Sequence, residues 1–141
     1  MTEANVRHPR IRQTVIDASD VRALAEFYRR LLSLEYRPGD DADAAGHQPD
    51  WLVLRDPSGG PHLAFQHVAD LPRPVWPDGR PPQMMHLDTS VPGAEALEQQ
   101  RQRALALGAT LLLDRSDDED EPLYVFADPA GHPFCIFVST D

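Results

Sequence analysis

The 141-residue chain contains no lysine, because all 13 of its basic residues are arginines. This absence excludes Schiff-base chemistry, the lysine of phosphate-binding loops and any lysine general base. The single cysteine, Cys135, has no second cysteine with which to form an intramolecular disulfide. Neither an apolar signal core at the N-terminus nor an apolar run of membrane-spanning length is found in the sequence. The sequence therefore predicts a cytoplasmic protein with no membrane partner.

Acidic residues outnumber basic ones by 23 to 13, for a formal net charge of −10 and a pI near 4.9. An excess of negative charge argues against nucleic acid as a partner. Most of the excess lies in two segments, 40–50 and 114–121. The hydrophobic content of 41% is typical of a globular protein rather than a disordered one.

The chain contains an internal repeat. Gln13 is matched by His86, 73 residues later, and an Asp-Pro-Ser-Gly segment beginning at Asp56 is matched by Asp-Pro-Ala-Gly beginning at Asp128, 72 residues later. A nearly constant offset indicates that one structural unit occurs twice.

Each half follows the same order of predicted elements. Short alternating segments predict strands, and apolar residues at three- and four-residue spacing predict one helix after the first strand of each half. Ser19 or Asp20 is expected to cap the first helix, and Gly108 to end the second. The predicted strands are 11–18, 34–38, 51–55 and 62–68 in the first half, and 84–91, 109–113, 123–127 and 133–139 in the second.

This order predicts an α+β fold with two βαβββ modules. We predict a single domain over 11–139. It consists of a module at 11–68, a linker at 69–83 and a module at 84–139. The linker holds five prolines, which cannot lie in a central strand because proline has no amide hydrogen to donate.

Four segments resemble the vicinal oxygen chelate superfamily of glyoxalase I, bleomycin-resistance proteins and extradiol dioxygenases. They read DVRALAEFYRRLLSLEY, DPSGGPHLAFQHV, MMHLDTSVPG and DPAGHPFCIF. The linker around Val75-Trp76-Pro77 is similar to that of a glyoxalase-like subfamily. The resemblance implies paired βαβββ modules whose strands curve into a mixed-sheet cup with the helices on its outer face. It also implies a site inside the cup and frequent homodimers, but it leaves the chemistry open.

In metal-dependent members of that superfamily, four positions face the cup. The first-strand positions fall on Gln13 and His86, and the last-strand positions fall on Cys135 and on Leu63 or Ala64, with Gln66 sharing a face with Ala64. Neither family carboxylate is present, so a 2-His-1-carboxylate iron site is excluded and no cofactor is predicted. If a divalent metal binds, the expected ligands are Gln13, Gln66, His86 and Cys135.

Two further residues, Asp88 and Trp76, complete the predicted site around His86. His86 is a candidate general acid or base, a hydrogen-bond donor to a ligand or a satisfied buried histidine. Asp88 lies two residues later and shares its strand face. Trp76 either stacks on a planar ligand or fixes the linker to the sheet. Cys135 is expected to be a small buried hydrophobe, and His132 to be exposed.

The leading hypothesis is a homodimer that binds a small organic molecule in its cup without a tightly bound metal, either to sequester it or for metal-free acid/base chemistry. Gln13, Gln66, His86, Asp88 and Trp76 would line that site. The alternatives are a metal-dependent lyase or isomerase of glyoxalase type with a degenerate ligand set, and a dimeric interaction module whose cup is filled by its own side chains.

Overall fold

The structure is a computed structural model and describes residues 6–41 and 49–139. Within these ranges the chain forms eight strands and two helices, arranged as two βαβββ modules. Their bounds are β1 Gln13–Ala18, α1 Val21–Leu32, β2 Glu35–Tyr36, β3 Trp51–Arg55 and β4 His62–His67, followed by β5 Leu87–Val91, α2 Ala94–Leu107, β6 Thr110–Arg115, β7 Leu123–Ala127 and β8 Pro133–Val138.

The strands form two mixed sheets with matching topology. The strand orders are β1-β4-β3-β2 and β5-β8-β7-β6. In each sheet the first strand of the module runs parallel to the last, and the remaining pairs are antiparallel. The predicted fold class is confirmed. The main difference in bounds is that β5 begins at Leu87 rather than at residue 84, so His86 lies immediately before the strand.

The two helices are stabilised differently at their ends. The side chain of Asp20 caps α1 by accepting a hydrogen bond of 3.0 Å from the amide of Ala23. Helix α2 has no side-chain cap at Gly93 and ends at Gly108, whose φ of 116° is readily adopted only by glycine. The predicted caps of both helices are therefore confirmed, with Asp20 chosen over Ser19.

An aromatic cluster joins the two modules in the core. The ring of Phe27 on α1 lies 5.7 Å from that of Phe134 on β8, and the ring of Tyr28 lies 5.9 Å from that of Phe65 on β4. Phe126 stacks on Phe134 at 5.3 Å. Helix α1 thus packs against strands of both sheets, and burial of these rings supplies much of the apolar area that holds the modules together.

The opposite face of each sheet, which we call the cup face, carries a second set of buried residues. Leu52, Leu54, Leu63 and Phe65 belong to the main core. Because side chains alternate along a strand, Val53 and Ala64 between them point to the cup face of the first sheet. By the same alternation, Val125 and Cys135 point to the cup face of the second sheet, and all four are buried.

None of the helices within the described ranges is long and apolar enough to cross a membrane.

Candidate functional site

A cavity lies between the two modules and beneath the linker. Its volume is about 370 Å³. The wall is formed by β1, by the residues just before and at the start of β5 and β8, and by the linker. The lining residues are Thr14, Val15, Ile16, Asp17, Tyr28, Leu71, Pro72, Pro74, Pro81, Pro82, Gln83, Met84, Met85, His86, Leu87, His132 and Pro133.

The linker is an ordered wall of this cavity. Val75 forms an isolated bridge with Pro82, and the amide of Val75 donates a 2.9 Å hydrogen bond to the carbonyl of Pro81. Gly79 lies between them with a φ of 150°, and a Cβ at this position would be 2.5 Å from a Val75 methyl group. The linker therefore folds back on itself, and four of its five prolines line the cavity.

Gln83 places an unpartnered polar atom at the cavity. Its Oε1 atom is buried, with no hydrogen-bond partner among the described residues. A buried acceptor without a donor costs about 1–3 kcal/mol, so a ligand that supplies an N–H or O–H group there would recover that cost. Gln83 is thus a polar residue of the wall with an unused hydrogen-bond acceptor.

Replacing Gln83 by leucine should raise the free energy of unfolding by about 1 kcal/mol, because leucine has nearly the same shape and leaves no unpaired acceptor. Urea denaturation of the two proteins measures the difference. A loss of more than about 1 kcal/mol would show that Oε1 has a partner that the structure does not contain.

His86 lies at the edge of the cavity and contacts three neighbours. Its Nε2 atom is 3.3 Å from an Asp88 carboxylate oxygen. The Trp76 ring packs edge-on against the imidazole, with 5.2 Å between ring centroids. Three atoms lie within 4.8 Å of one another: a ring nitrogen of His86, a carboxylate oxygen of Asp88 and the Sγ atom of Cys135. The predicted proximity of His86 and Asp88 is therefore present, and Cys135 joins them.

Cys135 is a buried thiol in an acidic environment. Asp88 is its direct partner in the β5–β8 register. Burial, followed by the nearby Asp88 and Glu121 carboxylates, raises the pKa of the Cys135 thiol to about 12. The thiol is thus protonated at neutral pH and has the character of a buried hydrophobe.

Gln13 and Gln66 lie on the first sheet and do not line the cavity. Gln13 is paired with His62, whereas Gln66 is paired with Asp17, four residues further along β1. At about 3.3 Å per residue, the two glutamines are about 13 Å apart along the sheet. The structure therefore does not bring the amides of Gln13 and Gln66 to one point, as a shared ligand set requires.

The strand register identifies Ala64 as the counterpart of Cys135. Val15 pairs with Ala64 in the first sheet, and Asp88, 73 residues after Val15, pairs with Cys135 in the second. Of the two last-strand candidates from the sequence, Leu63 and Ala64, the register therefore selects Ala64. Since alanine has no ligating atom, the first module lacks the donor that Cys135 supplies in the second.

The prediction that His132 is exposed is wrong. Its side chain is half-buried at the cavity, and its Nε2 atom lies 2.6 Å from the carbonyl oxygen of Asp17. The turn that holds it is organised by Asp128, which is fully buried. One Asp128 oxygen accepts hydrogen bonds from the amides of Ala130 and His132, and the other accepts one of 2.6 Å from the Tyr28 hydroxyl. The aspartate thus links α1 to the turn before β8.

Several cavity residues have little signal in the amino-acid sequence. Gln83, Met84 and Met85 follow a proline-rich stretch without periodicity, so their orientation depends on how the linker folds. Tyr28 lies on the buried face of α1, and it lines the cavity only because α1 packs between the modules. Neither acidic segment contributes a described residue to the cavity wall.

A model of the glyoxalase-like domain family matches residues 13–137, and the chain belongs to this family. It is thereby a member of the vicinal oxygen chelate superfamily. None of the curated proteins matches the chain significantly in sequence.

Solved structures share the fold. A glyoxalase/bleomycin resistance protein/dioxygenase family enzyme from Burkholderia phytofirmans PsJN superposes with a TM-score of 0.67 at 18% identity, covering 90% of this chain and 96% of that one. A glyoxalase-related enzyme from Fulvimarina pelagi gives 0.65 at 19% identity, with 92% and 88% covered. A glyoxalase/dioxygenase from Nostoc punctiforme gives 0.63 at 17% identity, with 100% and 97% covered.

Proposed function

We propose that this glyoxalase-like protein binds a small, largely apolar organic molecule in the cavity beneath the linker, and that this binding requires no metal. The observation that carries the proposal is the buried, unpartnered Oε1 atom of Gln83 in a wall made mostly of proline, methionine, leucine and valine. Small-molecule sites are typically apolar cavities of about 300–1,000 Å³ with a few polar groups that orient the ligand.

The charges around the cavity indicate which ligands it accepts. Among the described residues, Asp17 is the one carboxylate in the wall, and Asp88 lies beside His86 at its edge. No arginine lines the cavity in the described part of the chain. A phosphate or carboxylate group would therefore enter an acidic environment without a counter-charge. We infer a neutral or cationic ligand that donates a hydrogen bond to Gln83.

The same site offers a group suited to acid/base chemistry. Imidazole is the side chain that most often serves as a general acid or base, and His86 lines the cavity. Asp88 can hold the ring in one orientation through its contact with Nε2. Sequestration of a ligand needs only the cavity, whereas catalytic turnover would also need His86 and Asp88. For turnover, we propose His86 as the proton acceptor.

The predicted homodimer and the cytoplasmic location also remain proposals. Ile11, Met84 and Met85 are large apolar residues that are 76%, 89% and 77% exposed. Met84 and Met85 belong to the cavity wall. Exposed apolar groups of this kind are typical of surfaces that a ligand or a second protein covers, which supports ligand binding and a homodimer contact in this region.

The charge preference can be tested with two fluorescent probes that share one aromatic skeleton. N-phenylnaphthylamine is neutral and carries an N–H donor, whereas anilinonaphthalene sulfonate adds a negative charge. In the presence of EDTA, the neutral probe should bind with at least about tenfold higher affinity. Gln83→Leu should weaken its binding about fivefold to tenfold, because the acceptor is lost.

A matched pair of tryptophan variants tests the location. Val15 lines the cavity and Leu112 lies on β6, and both are 41% exposed. Val15→Trp should fill the cavity and reduce neutral-probe binding at least about tenfold, whereas Leu112→Trp should leave it unchanged. Equal affinities for the two probes, or equal effects of the two variants, would overturn the proposal.

A further inference from the structure

A cluster of three different metal-ligating groups lies on the second module beside the cavity. Three ligand atoms lie within 4.8 Å of one another: a ring nitrogen of His86, a carboxylate oxygen of Asp88 and the Sγ atom of Cys135. We propose that these three side chains form a binding site for a thiophilic divalent cation of the zinc type. The site belongs entirely to β5, β8 and the residue before β5.

The spacing of the donor atoms suits a tetrahedral ion. Zinc lies about 2.0–2.1 Å from nitrogen or oxygen ligands and about 2.3 Å from sulfur, which places tetrahedral ligand atoms about 3.2–3.7 Å apart. The distance between His86 Nε2 and Asp88 Oδ1 is already 3.3 Å. The Asp88 and His86 side chains are 58% and 32% exposed, so both have room to turn toward the sulfur.

The donor set selects the class of ion. Thiolate and imidazole ligands favour zinc and related borderline or soft ions, whereas Mg²⁺ and Ca²⁺ favour sites made of oxygen ligands. Negative charge from Asp88 and Glu121 at the thiol also attracts a cation. When the sulfur–metal bond forms, the Cys135 thiol loses its proton to the solvent. The electron pair of the S–H bond stays on the sulfur, and the thiolate donates an electron pair to the metal.

The surroundings support two of the ligands. The Trp76 ring restrains the imidazole through an edge contact. Cys135 is held by the central strand β8, which pairs with β5 on one side and β7 on the other. Three protein ligands leave a tetrahedral ion one open position, so an ion here could also accept a donor atom from a bound molecule.

This site differs from the set of Gln13, Gln66, His86 and Cys135 expected from the sequence. It takes Asp88 in place of the two glutamines, which the first sheet holds about 13 Å apart. It is also independent of the proposed ligand binding. The neutral-probe experiment runs in EDTA, so loss of probe binding and loss of metal binding are separate results.

Titration of the reduced full-length protein with Co²⁺ tests the site. We expect one equivalent to bind and to produce a thiolate-to-cobalt charge-transfer band together with the visible bands of tetrahedral Co²⁺. Zn²⁺ should abolish these bands by displacement, whereas a hundredfold excess of Mg²⁺ should not, as expected for a site with thiolate and imidazole donors.

The variants assign the ligands. Cys135→Ser should remove the charge-transfer band. Asp88→Asn changes an exposed side chain and should lower Co²⁺ affinity at least about tenfold, whereas Asp70→Asn, also exposed, should have no effect. The absence of a charge-transfer band in the unmodified protein would overturn the proposal. Equal Co²⁺ affinities of Asp88→Asn and Asp70→Asn would also overturn it. This comparison remains valid even if Cys135→Ser fails to fold.

Discussion

Replacing Asp128 by alanine is expected to lower the free energy of unfolding by about 3–5 kcal/mol. The carboxylate is fully buried and accepts hydrogen bonds from the Tyr28 hydroxyl and from the amides of Ala130 and His132. Alanine would leave these three donors without their acceptor. It would also remove the contact between α1 and the turn before β8, and with it part of the cavity wall.

Urea or guanidinium unfolding followed by circular dichroism measures this loss. The internal repeat supplies a matched control in Asp56, the counterpart of Asp128 in the first module. Asp56 is exposed, and its side chain accepts hydrogen bonds only from the amide and hydroxyl of Ser58. Asp56→Ala should cost less than about 1 kcal/mol. Similar losses for the two variants would contradict the structural role assigned to Asp128.

Stability should also depend on pH through Asp128. Burial raises the pKa of this carboxyl, and its hydrogen bonds with Tyr28 and the backbone amides oppose that shift only in part. The folded protein therefore holds the proton more tightly than the unfolded chain, whose carboxyl has a pKa of about 4. The stabilisation that the protonated Asp128 carboxyl contributes is complete at pH values below the unfolded pKa. It is lost as pH rises through the higher pKa of the folded state. The stability of the unmodified protein relative to Asp128→Asn should thus decrease as pH rises from about 4.

Alkylation of Cys135 in the folded protein is expected to be about a thousandfold slower at pH 8 than alkylation of an ordinary cysteine. Burial raises the pKa of its thiol to about 12, with further contributions from Asp88 and Glu121. An ordinary thiol has a pKa of about 8.5, and only the thiolate reacts. At pH 8 the thiolate fraction is therefore about one in ten thousand, compared with about a quarter for a free cysteine.

Mass spectrometry after timed treatment with iodoacetamide measures this rate. The protein unfolded in urea is the control, and it should label at the rate of a free cysteine. Asp88→Asn should label faster than the unmodified protein, because one of the carboxylates that raise the thiol pKa is neutralised. Complete labelling of the folded protein within minutes at pH 8 would contradict the predicted burial and charge at this position.

Much of the fold could be predicted because it depends on local patterns. The bounds of the strands Trp51–Arg55 and Leu123–Ala127 agree with the prediction, since short apolar runs between turn residues are typical of buried strands. The early end of β2 at Tyr36 and the late start of β5 at Leu87 were less predictable. Strand ends depend on backbone partners in a neighbouring strand, and the sequence does not show these.

The site was predicted less completely than the fold. The alternation of His86 and Asp88 placed them together, and the structure has them in contact at 3.3 Å. Cys135 joins them only through the parallel pairing of β5 with β8, which is a long-range register. Gln83 could not be identified in advance, because its burial depends on the path of a linker without helical or strand periodicity.

By itself, the sequence determined that this protein is a duplicated βαβββ unit with an acidic surface and no lysine chemistry, because repeats, periodicity and charge are properties of the chain. The tertiary structure decided which polar groups meet. It separated Gln13 from Gln66 along one sheet, and it gathered His86, Asp88 and Cys135 on the other. It also buried Asp128 but not its repeat partner Asp56. The physical reason is that α1 packs between the modules and breaks the symmetry of the repeat, so equivalent residues acquire different neighbours.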